Sequence, residues 1–124
     1  TVENDDKPNL YSTEMLYNGV HKQIGIPIVF DSHHFELGPQ DLDYHDSYYL
    51  ARSTWPTGIK QQAHHSNSRR KYEDPTANKP AHSTWFYTPF ESYNEPTDVV
   101  LECKAKELAL FKYRNDFQKK VKAA

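Results

Sequence analysis

The sequence predicts an α/β protein built on a parallel sheet. Short apolar runs alternate with segments of helical periodicity, which is the pattern of successive β-α-β units. A polar residue of ligand type ends each run, and these residues recur at roughly the 31-residue interval of one unit of a (β/α)8 barrel. We therefore predict a TIM (β/α)8 barrel, of which about four β/α units fit into 124 residues.

Four segments are predicted to be strands. The clearest is 25–30, a continuous apolar run that is typical of a strand buried on both faces. The run 98–101 is of the same kind, whereas 1–2 resembles the end of a strand and 59–63 is a weaker candidate. The polar residues that end these four runs are Glu3, Asp31, His64 and Glu102.

Helical patterns lie between these runs. The segment 12–21 has Glu14 near its start, where the helix dipole favours a carboxylate, and 42–52 shows a weaker pattern. The strongest pattern is 104–120, with an apolar stripe through Leu108 and Ala109. Between 66 and 97 we find no period, and a loop of this length is usually functional or disordered. The cations expected in the last turns of the final helix are Lys119, Lys120 and Lys122.

Composition excludes several classes of protein. The chain has 15 Lys and Arg against 17 Asp and Glu, a net charge of −2 that excludes a strongly basic nucleic-acid coat or a polybasic membrane-surface protein. No apolar run approaches the roughly 20 residues of a membrane helix, so no membrane partner is expected. One cysteine, Cys103, fits a reducing compartment and predicts an intracellular location in the cytoplasm or nucleoid.

The polar strand ends predict a metal site. In a barrel the carboxyl ends of the strands meet at one mouth, which would bring these carboxylates and imidazoles together. A mixed nitrogen and oxygen site of this kind suits Mn²⁺, Zn²⁺ or Fe²⁺. Taken singly, each residue is more often a helix cap or a solvated strand end. The basic run Arg69, Arg70 and Lys71 is first a solvated loop and second a phosphate contact.

Four motifs in order resemble the UV damage endonucleases, a family of metal-dependent DNA-repair enzymes on a TIM barrel of the AP-endonuclease and xylose-isomerase type. The last motif, a strand ending in Glu102 and followed by Lys-Ala-Lys-Glu, is the most specific. Thr54-Trp55 and His82-Ser83 add to the match, which runs from Val2 to about Arg114. The four motifs are Glu3-Asn4-Asp5-Asp6, Ile26-Pro27-Ile28-Val29-Phe30-Asp31-Ser32-His33-His34, His64-His65-Ser66 and Val100-Leu101-Glu102-Cys103-Lys104-Ala105-Lys106-Glu107.

The resemblance implies a cluster of two or three Mn²⁺ ions and hydrolysis of the phosphodiester on the 5′ side of a damaged base. The expected substrate is double-stranded DNA with UV lesions, read by distortion of the backbone more than by base identity. The catalytic residues would be Glu3, Asp31 and Glu102. The positions that match the metal ligands of the family are Glu3, Asp31, His34, His64, His82 and Glu102.

Two departures from the family pattern stand out. The family has Lys-x-His-x-Ser with a carboxylated lysine, whereas this chain has Gln62 at that position, and Lys60 could replace it only after a register shift of two residues. The earlier strands of the family's barrel, with further histidine ligands, have no counterpart here. The resemblance thus implies only the C-terminal half of the barrel, strands five to eight, as one incomplete domain over 1–124.

A half barrel leaves two sheet edges and one face of the sheet uncovered. We therefore expect an N-terminal half barrel, or self-association through the open edges, and little nicking of DNA by this chain alone. Two other interpretations stay open at this stage. One is a related metal-dependent barrel, either an apurinic-site endonuclease or a sugar isomerase, and the other is a non-catalytic metal-binding fragment.

Overall fold

The computed structural model describes residues 1–7, 9–38 and 41–118, and in these an all-parallel sheet alternates with helices, which confirms the α/β class. The strands are β1 (Val2–Glu3), β2 (Ile28–Asp31), β3 (Gln61–His65) and β4 (Thr97–Leu101). The helices are α1 (Thr13–Leu16), α2 (Lys22–Ile24), α3 (Ser32–Leu37), α4 (Tyr44–Ser53), α5 (Arg69–Tyr72) and α6 (Glu107–Tyr113). Single π-helical stretches, Tyr17–His21 and Arg114–Gln118, join α1 to α2 and extend α6.

Local side-chain chemistry sets the helix boundaries. The Ser12 hydroxyl accepts the Met15 N–H at 3.1 Å and begins α1, and the Asp43 carboxylate accepts the Asp46 N–H at 2.8 Å and begins α4. Gly25, with a φ of 75°, ends α2 in the left-handed conformation that a residue with a Cβ rarely adopts. The chain then turns directly into β2.

The sheet has the strand order β1-β2-β3-β4, so every strand lies beside its predecessor in the sequence and runs parallel to it. In register, Glu3 pairs with Val29 and Asp31 pairs with His64. Crossover connections between parallel strands are normally right-handed. Because each strand here lies beside its predecessor, all the connecting helices lie on the same face of the sheet. The carboxyl ends of all four strands therefore lie at one edge.

The hydrophobic core lies on the helix-covered face. Ile28 and Phe30 of β2 are fully buried against Leu16 of α1 and Tyr48 and Ala51 of α4. A second cluster packs α6 onto the loop that precedes β4, and its buried members are Phe86, Ala109 and Tyr113. Burial of these apolar surfaces is the main stabilising contribution to the fold.

The opposite face of the sheet is open at β3 and β4. All four residues of β2 are buried, as predicted for a strand covered on both faces. The same prediction is wrong for β4, where burial alternates and Val100 is 51% exposed. Gln62 and Asp98, which pair in register, are also exposed on this face. Although its sequence is a continuous apolar run, β4 is therefore covered on one face only.

Several predicted boundaries need correction. The third strand is 61–65 rather than 59–63, because His64 and His65 themselves pair with β2 and β4 while Ile59 is exposed. Helices α3 and α5 are absent from the sequence prediction, since they are short and begin at the side-chain caps Asp31 and Ser68. The predicted helix over 12–21 extends to Ile24.

The last helix begins at Glu107 rather than at 104. The N–H groups of Lys104 and Ala105 donate to carbonyls of the preceding loop, and Lys106 has a φ of 51°, so the helix cannot start earlier. Leu108, expected in the buried stripe, is 59% exposed. Lys119, Lys120 and Lys122 lie outside the described residues. Within the described part of the chain, we find no helix with the length and apolarity needed to cross a bilayer.

Candidate metal centre

Three carboxylates surround one imidazole at the carboxyl ends of the strands. His64 Nδ1 lies 3.0 Å from Glu3 Oε2, 3.7 Å from Asp31 Oδ2 and 3.9 Å from Glu102 Oε1. Potential ligand atoms of Glu3, Asp31 and His64 all lie within 4.8 Å of one another. Strand register explains this closeness, because Asp31 and His64 are direct partners and Glu102 follows β4 immediately. The strand-end residues are thus brought together as predicted.

The two carboxylate oxygens of Asp31 have different partners. Oδ1 accepts the N–H groups of His33 and His34, both at 2.9 Å, and so caps α3. Oδ2 faces the rings of His64 and His34. Because Oδ1 is fixed by two hydrogen bonds, Oδ2 cannot rotate away. Asp31 is therefore both a helix cap and a candidate ligand.

The charges at this point favour a cation. The neighbouring carboxylates of Asp31 and Glu3 raise the pKa of the His64 imidazole to about 10. Burial raises the pKa of Asp31, but the nearby His64 imidazole and the hydrogen bond from the His34 N–H outweigh it and bring the pKa below its usual value. Such a carboxylate and imidazole set fits a divalent metal, which displaces the proton when it binds a histidine nitrogen.

His34 lies beside the carboxylate group. Its Nδ1 is 3.6 Å from Asp31 Oδ2 and donates to the backbone carbonyl of Asn4 at 2.9 Å. A carbonyl can only accept, so the proton of the neutral ring is on Nδ1 and the lone pair is on Nε2. His34 can therefore offer Nε2 as a ligand atom.

His82 is set apart from the other predicted ligands. It lies in the loop between β3 and β4, and its ring packs on His33 with a centroid distance of 5.3 Å. Its Nδ1 is buried and has no hydrogen-bond partner. Together with Glu102, His82 lines a cavity of about 950 Å³ between β4 and α6, to which Lys104, Lys106 and Arg114 contribute cations.

Lys60 lies just before the start of β3, at the opposite end of the strand from the candidate metal centre. Lys60 Nζ pairs with Asp98 Oδ1 at 3.2 Å, and both side chains are more than half exposed. Gln62 lies on the same face as His64, one alternation earlier in the strand. Since Asp31 and His64 are in register, the two-residue shift that would bring Lys60 to the place of Gln62 does not occur in the structure.

The basic residues Arg69, Arg70 and Lys71 form α5, at the start of the loop that leaves the carboxyl end of β3. Arg70 and Lys71 line a groove of about 530 Å³ together with Lys79 and Glu36. The Lys71 ammonium lies 5.2 Å from the centre of the Tyr72 ring. The groove is thus basic and lies on a loop that begins at the candidate metal centre.

The sequence prediction did not include a chain of hydrogen bonds through Ser32, His65 and Thr88, which lies next to the candidate ligands Asp31 and His64. The residues directly after Asp31 and His64 are bonded to each other, since Ser32 Oγ lies 2.7 Å from His65 Nδ1. His65 Nε2 donates to the Thr88 carbonyl at 2.9 Å, and burial lowers the pKa of His65. His65 is therefore neutral and accepts from Ser32. The available signal was the polar residue directly after each of Glu3, Asp31 and His64, at a position that alternation turns away from the site.

A second group of potential ligands lies at the exposed start of α4 and comprises Asp43, His45 and Asp46. Asp43 already caps the helix through Oδ1, and His45 Nδ1 is 3.0 Å from Asp46 Oδ1. These contacts explain why the three side chains are close together without a metal.

Comparison with known proteins now decides the family. The family model described as UV-endonuclease UvdE matches residues 1–124. The chain belongs to this family. It is 32% identical over 121 residues to the UV DNA damage endonuclease of Nostoc sp. and 33% identical over 122 residues to that of Bacillus velezensis. These matches cover 93% and 90% of the chain but only 35% and 36% of the relatives, so the chain spans about a third of their length.

The fold also has a solved counterpart. The crystal structure of SacUVDE superimposes with a TM-score of 0.67 and 23% sequence identity, over 92% of this chain and 38% of that one. At this level of identity the likeness concerns the fold, and it agrees with the α/β arrangement described above. The resemblance drawn from the four sequence motifs is confirmed by the family match.

Proposed function

We propose that this chain is the C-terminal half of the TIM barrel of a metal-dependent UV-damage endonuclease, a single incomplete domain over residues 1–124. The proposed reaction is hydrolysis of the phosphodiester on the 5′ side of a UV photolesion in double-stranded DNA, inside the cell. One observation carries the proposal: three carboxylates and an imidazole meet at the ends of successive parallel strands, in a chain of the UvdE family.

The half-barrel part of the proposal is supported by topology and burial. Strand order follows chain order, and the core lies on one face, as in one sector of a (β/α)8 barrel. All-parallel sheets are normally covered on both faces, whereas β3 and β4 expose Gln62, Asp98 and Val100. An N-terminal half barrel would cover this face; self-association through the open sheet edges is the alternative.

We propose a cluster of two or three Mn²⁺ ions as the cofactor. Glu3, Asp31 and Glu102 would supply carboxylate oxygens, and His34, His64 and His82 would supply ring nitrogens. The first two histidines already lie within 4 Å of Asp31 Oδ2. When bound, such ions activate a water molecule and neutralise charge on the phosphate and the leaving oxygen.

The chain's own residues prepare the site before any ion is bound. Asp31 keeps Oδ1 on the first turn of α3 and presents Oδ2 in a fixed direction. Glu3 and Glu102 are more exposed than Asp31, so they face the side from which DNA would approach. Arg69, Arg70 and Lys71 would contact backbone phosphates beside the lesion, where contacts position the duplex without reading sequence.

The test is nicking of UV-irradiated supercoiled plasmid with Mn²⁺. We expect the complete protein to nick the plasmid and the 124-residue chain alone to nick it poorly. Asp31→Asn and Glu102→Gln should abolish nicking by the complete protein. Asp98→Asn is the matched control, because it makes the same charge change on the same sheet face outside the site.

The outcomes separate the parts of the proposal. Robust nicking by the chain alone would refute the half-barrel interpretation. Absence of nicking by the complete protein, with cleavage of an abasic duplex or turnover of an aldose instead, would refute the proposed substrate. Unchanged nicking by Asp31→Asn would refute the assignment of the site.

A further inference from the structure

Asn4 is a buried polar residue between the candidate ligands that the proposed chemistry does not use. It follows Glu3 directly, at the point where β1 ends, and it is only 3% exposed. A buried amide is tolerated only where its donors and acceptors find partners. The partners of Asn4 are all parts of the candidate metal centre.

The side chain of Asn4 continues the pairing of β1 with β2. Its Nδ2 donates to the Asp31 carbonyl at 3.0 Å, and its Oδ1 accepts the Asp31 N–H at 2.8 Å. A carboxamide offers the same donor and acceptor as a peptide group, so it replaces one rung of the ladder after the strand itself has ended. The backbone of Asp31 is thereby held between Asn4 on one side and β3 on the other.

The backbone of Asn4 sets the state of a second candidate ligand. Its carbonyl accepts the Nδ1–H of His34 at 2.9 Å. Hydrogen bonds of this kind fix the tautomer and orientation of a ligating histidine, here with Nε2 as the ligand atom. One residue therefore links three candidate ligands: Glu3 through the peptide bond, Asp31 through the side chain and His34 through the carbonyl.

We infer that Asn4 is a positioning residue of the metal centre, which sets the spacing of Glu3, Asp31 and His34 without ligating a metal itself. This inference rests on the proposed function, because it assumes that a divalent metal binds these residues. It predicts a loss of metal affinity that exceeds what a loss of fold stability alone would cause.

The test compares two variants that each remove a side-chain partner of the β2 backbone. Asn4→Ala removes the partner of Asp31 at the carboxyl end of β2. Thr54→Ala removes the partner of Ile28 at the opposite end, where Thr54 Oγ1 accepts the Ile28 N–H at 2.8 Å. Mn²⁺ affinity is measured by electron paramagnetic resonance on the full chain, at a temperature where circular dichroism shows both variants to be folded.

We expect Asn4→Ala to raise the Mn²⁺ Kd about 10-fold to 100-fold, as is typical when a residue that orients ligands is lost. Thr54→Ala should change the Kd by about twofold or less, since distant sites without shared partners act independently. Should Asn4→Ala fail to fold, Asn4→Gln serves instead, because it keeps the amide but displaces it by one methylene. It should also raise the Kd.

Each outcome decides something. Mn²⁺ binding by the wild-type chain with the same Kd in the Asn4 and Thr54 variants would overturn the positioning role and leave the metal site intact. Failure of the wild-type chain to bind Mn²⁺ would overturn the inference, whereas nicking of irradiated plasmid by the complete protein tests the proposed function separately. Loss of hydrogen-exchange protection at the Asp31 amide in the Asn4 variant, combined with a raised Kd, supports the inference.

Discussion

The strand ends and the long loop between β3 and β4 place their side chains by different means. At the strand ends, sheet register puts Asp31 beside His64, and backbone pairing fixes the distance between them. In the loop, side chains hold the backbone. The Glu73 carboxylate accepts the N–H groups of Thr84 and Trp85 and the hydroxyl of Tyr87. The strand ends thus depend mainly on backbone pairing, which the Asn4 side chain continues at Asp31, whereas the loop depends on single polar side chains.

This difference implies that the two regions respond differently to substitution. A change at a strand end should alter the chemistry while the sheet persists, because the backbone pairing does not need the charged side chain. A change in the loop should alter local order first and ligand placement only as a result. The four predictions below test this contrast, from the largest expected effect to the smallest.

The largest effect is expected from Asp31→Asn. Asparagine is also a good helix cap, so α3 should persist while the charge of Oδ2 is lost. We expect Mn²⁺ affinity to fall by about 100-fold or more. Substitution of a residue that only orients a ligand typically lowers metal affinity by about 10-fold to 100-fold, and loss of a ligand should cost at least as much. Electron paramagnetic resonance gives the affinity and circular dichroism the fold. Asp98→Asn, the control, should retain affinity, and an equal loss in both variants would contradict the assignment.

The second largest effect is expected from Gly38→Ala, because the backbone at Gly38 lies close to the backbone at Asp5. A Cβ at Gly38 would lie 2.0 Å from the backbone oxygen of Asp5. Gly38→Ala should therefore destabilise the chain by about 1–3 kcal/mol, as overpacking does. In Gly19→Ala the new Cβ meets nothing within 4 Å, so this control should be neutral or stabilising. Urea unfolding measures both, and equal stabilities would contradict the predicted close packing.

Glu73→Gln tests the loop. An amide cannot accept the same set of hydrogen bonds from the Thr84 and Trp85 N–H groups, so we expect a loss of about 1 kcal/mol, reduced by partial exposure. Burial raises the pKa of Glu73, yet hydrogen bonds from Tyr87 and from the Thr84 and Trp85 N–H groups leave it below its usual 4.5.

This lowered pKa has a defined consequence for stability. The stabilisation by Glu73 should be complete above pH 4.5 and should disappear as the pH falls through the lower pKa of the folded state. The stability difference between wild type and Glu73→Gln, followed by urea unfolding from pH 6 down to about pH 3, should therefore shrink toward acid pH. A difference that grows on acidification would contradict this role.

The smallest effect is expected from Lys60→Ala. Its ion pair with Asp98 is exposed, and such pairs contribute about 0–1 kcal/mol. We expect the Mn²⁺ Kd to change by about twofold or less, because Lys60 lies at the far end of β3 and shares no partner with the site. A large loss of affinity would show that Lys60 reaches the metals, as a modified lysine would.

The same contrast explains how much could be predicted from the sequence. The closeness of Glu3, Asp31, His64 and Glu102 can be predicted because each lies at or directly after the end of an apolar run, and parallel strands align their carboxyl ends. For Asp31 the sequence pattern predicts a helix cap and a metal ligand as alternatives. In the structure Oδ1 caps α3, and Oδ2 faces His64 at the candidate metal centre.

The parts that could not be predicted depend on contacts distant in sequence. His82 is positioned by a loop whose shape depends on Glu73 and Asn67, and neither belongs to a periodic pattern. Helix α6 starts three residues late because Lys104 and Ala105 bond to that loop. Propensity and spacing contain no information about such contacts, so only the coordinates reveal them.

The two oxygens of Asp31 also bear on which replacements the fold can tolerate at this position. The cap of α3 depends on Oδ1 whether or not a metal is bound, so replacements that cannot cap should cost about 0.5–2 kcal/mol of stability. Asparagine keeps the cap and discards the charge. Among replacements at position 31, Asn is therefore the one that should disturb the fold least while removing the carboxylate from the candidate metal centre.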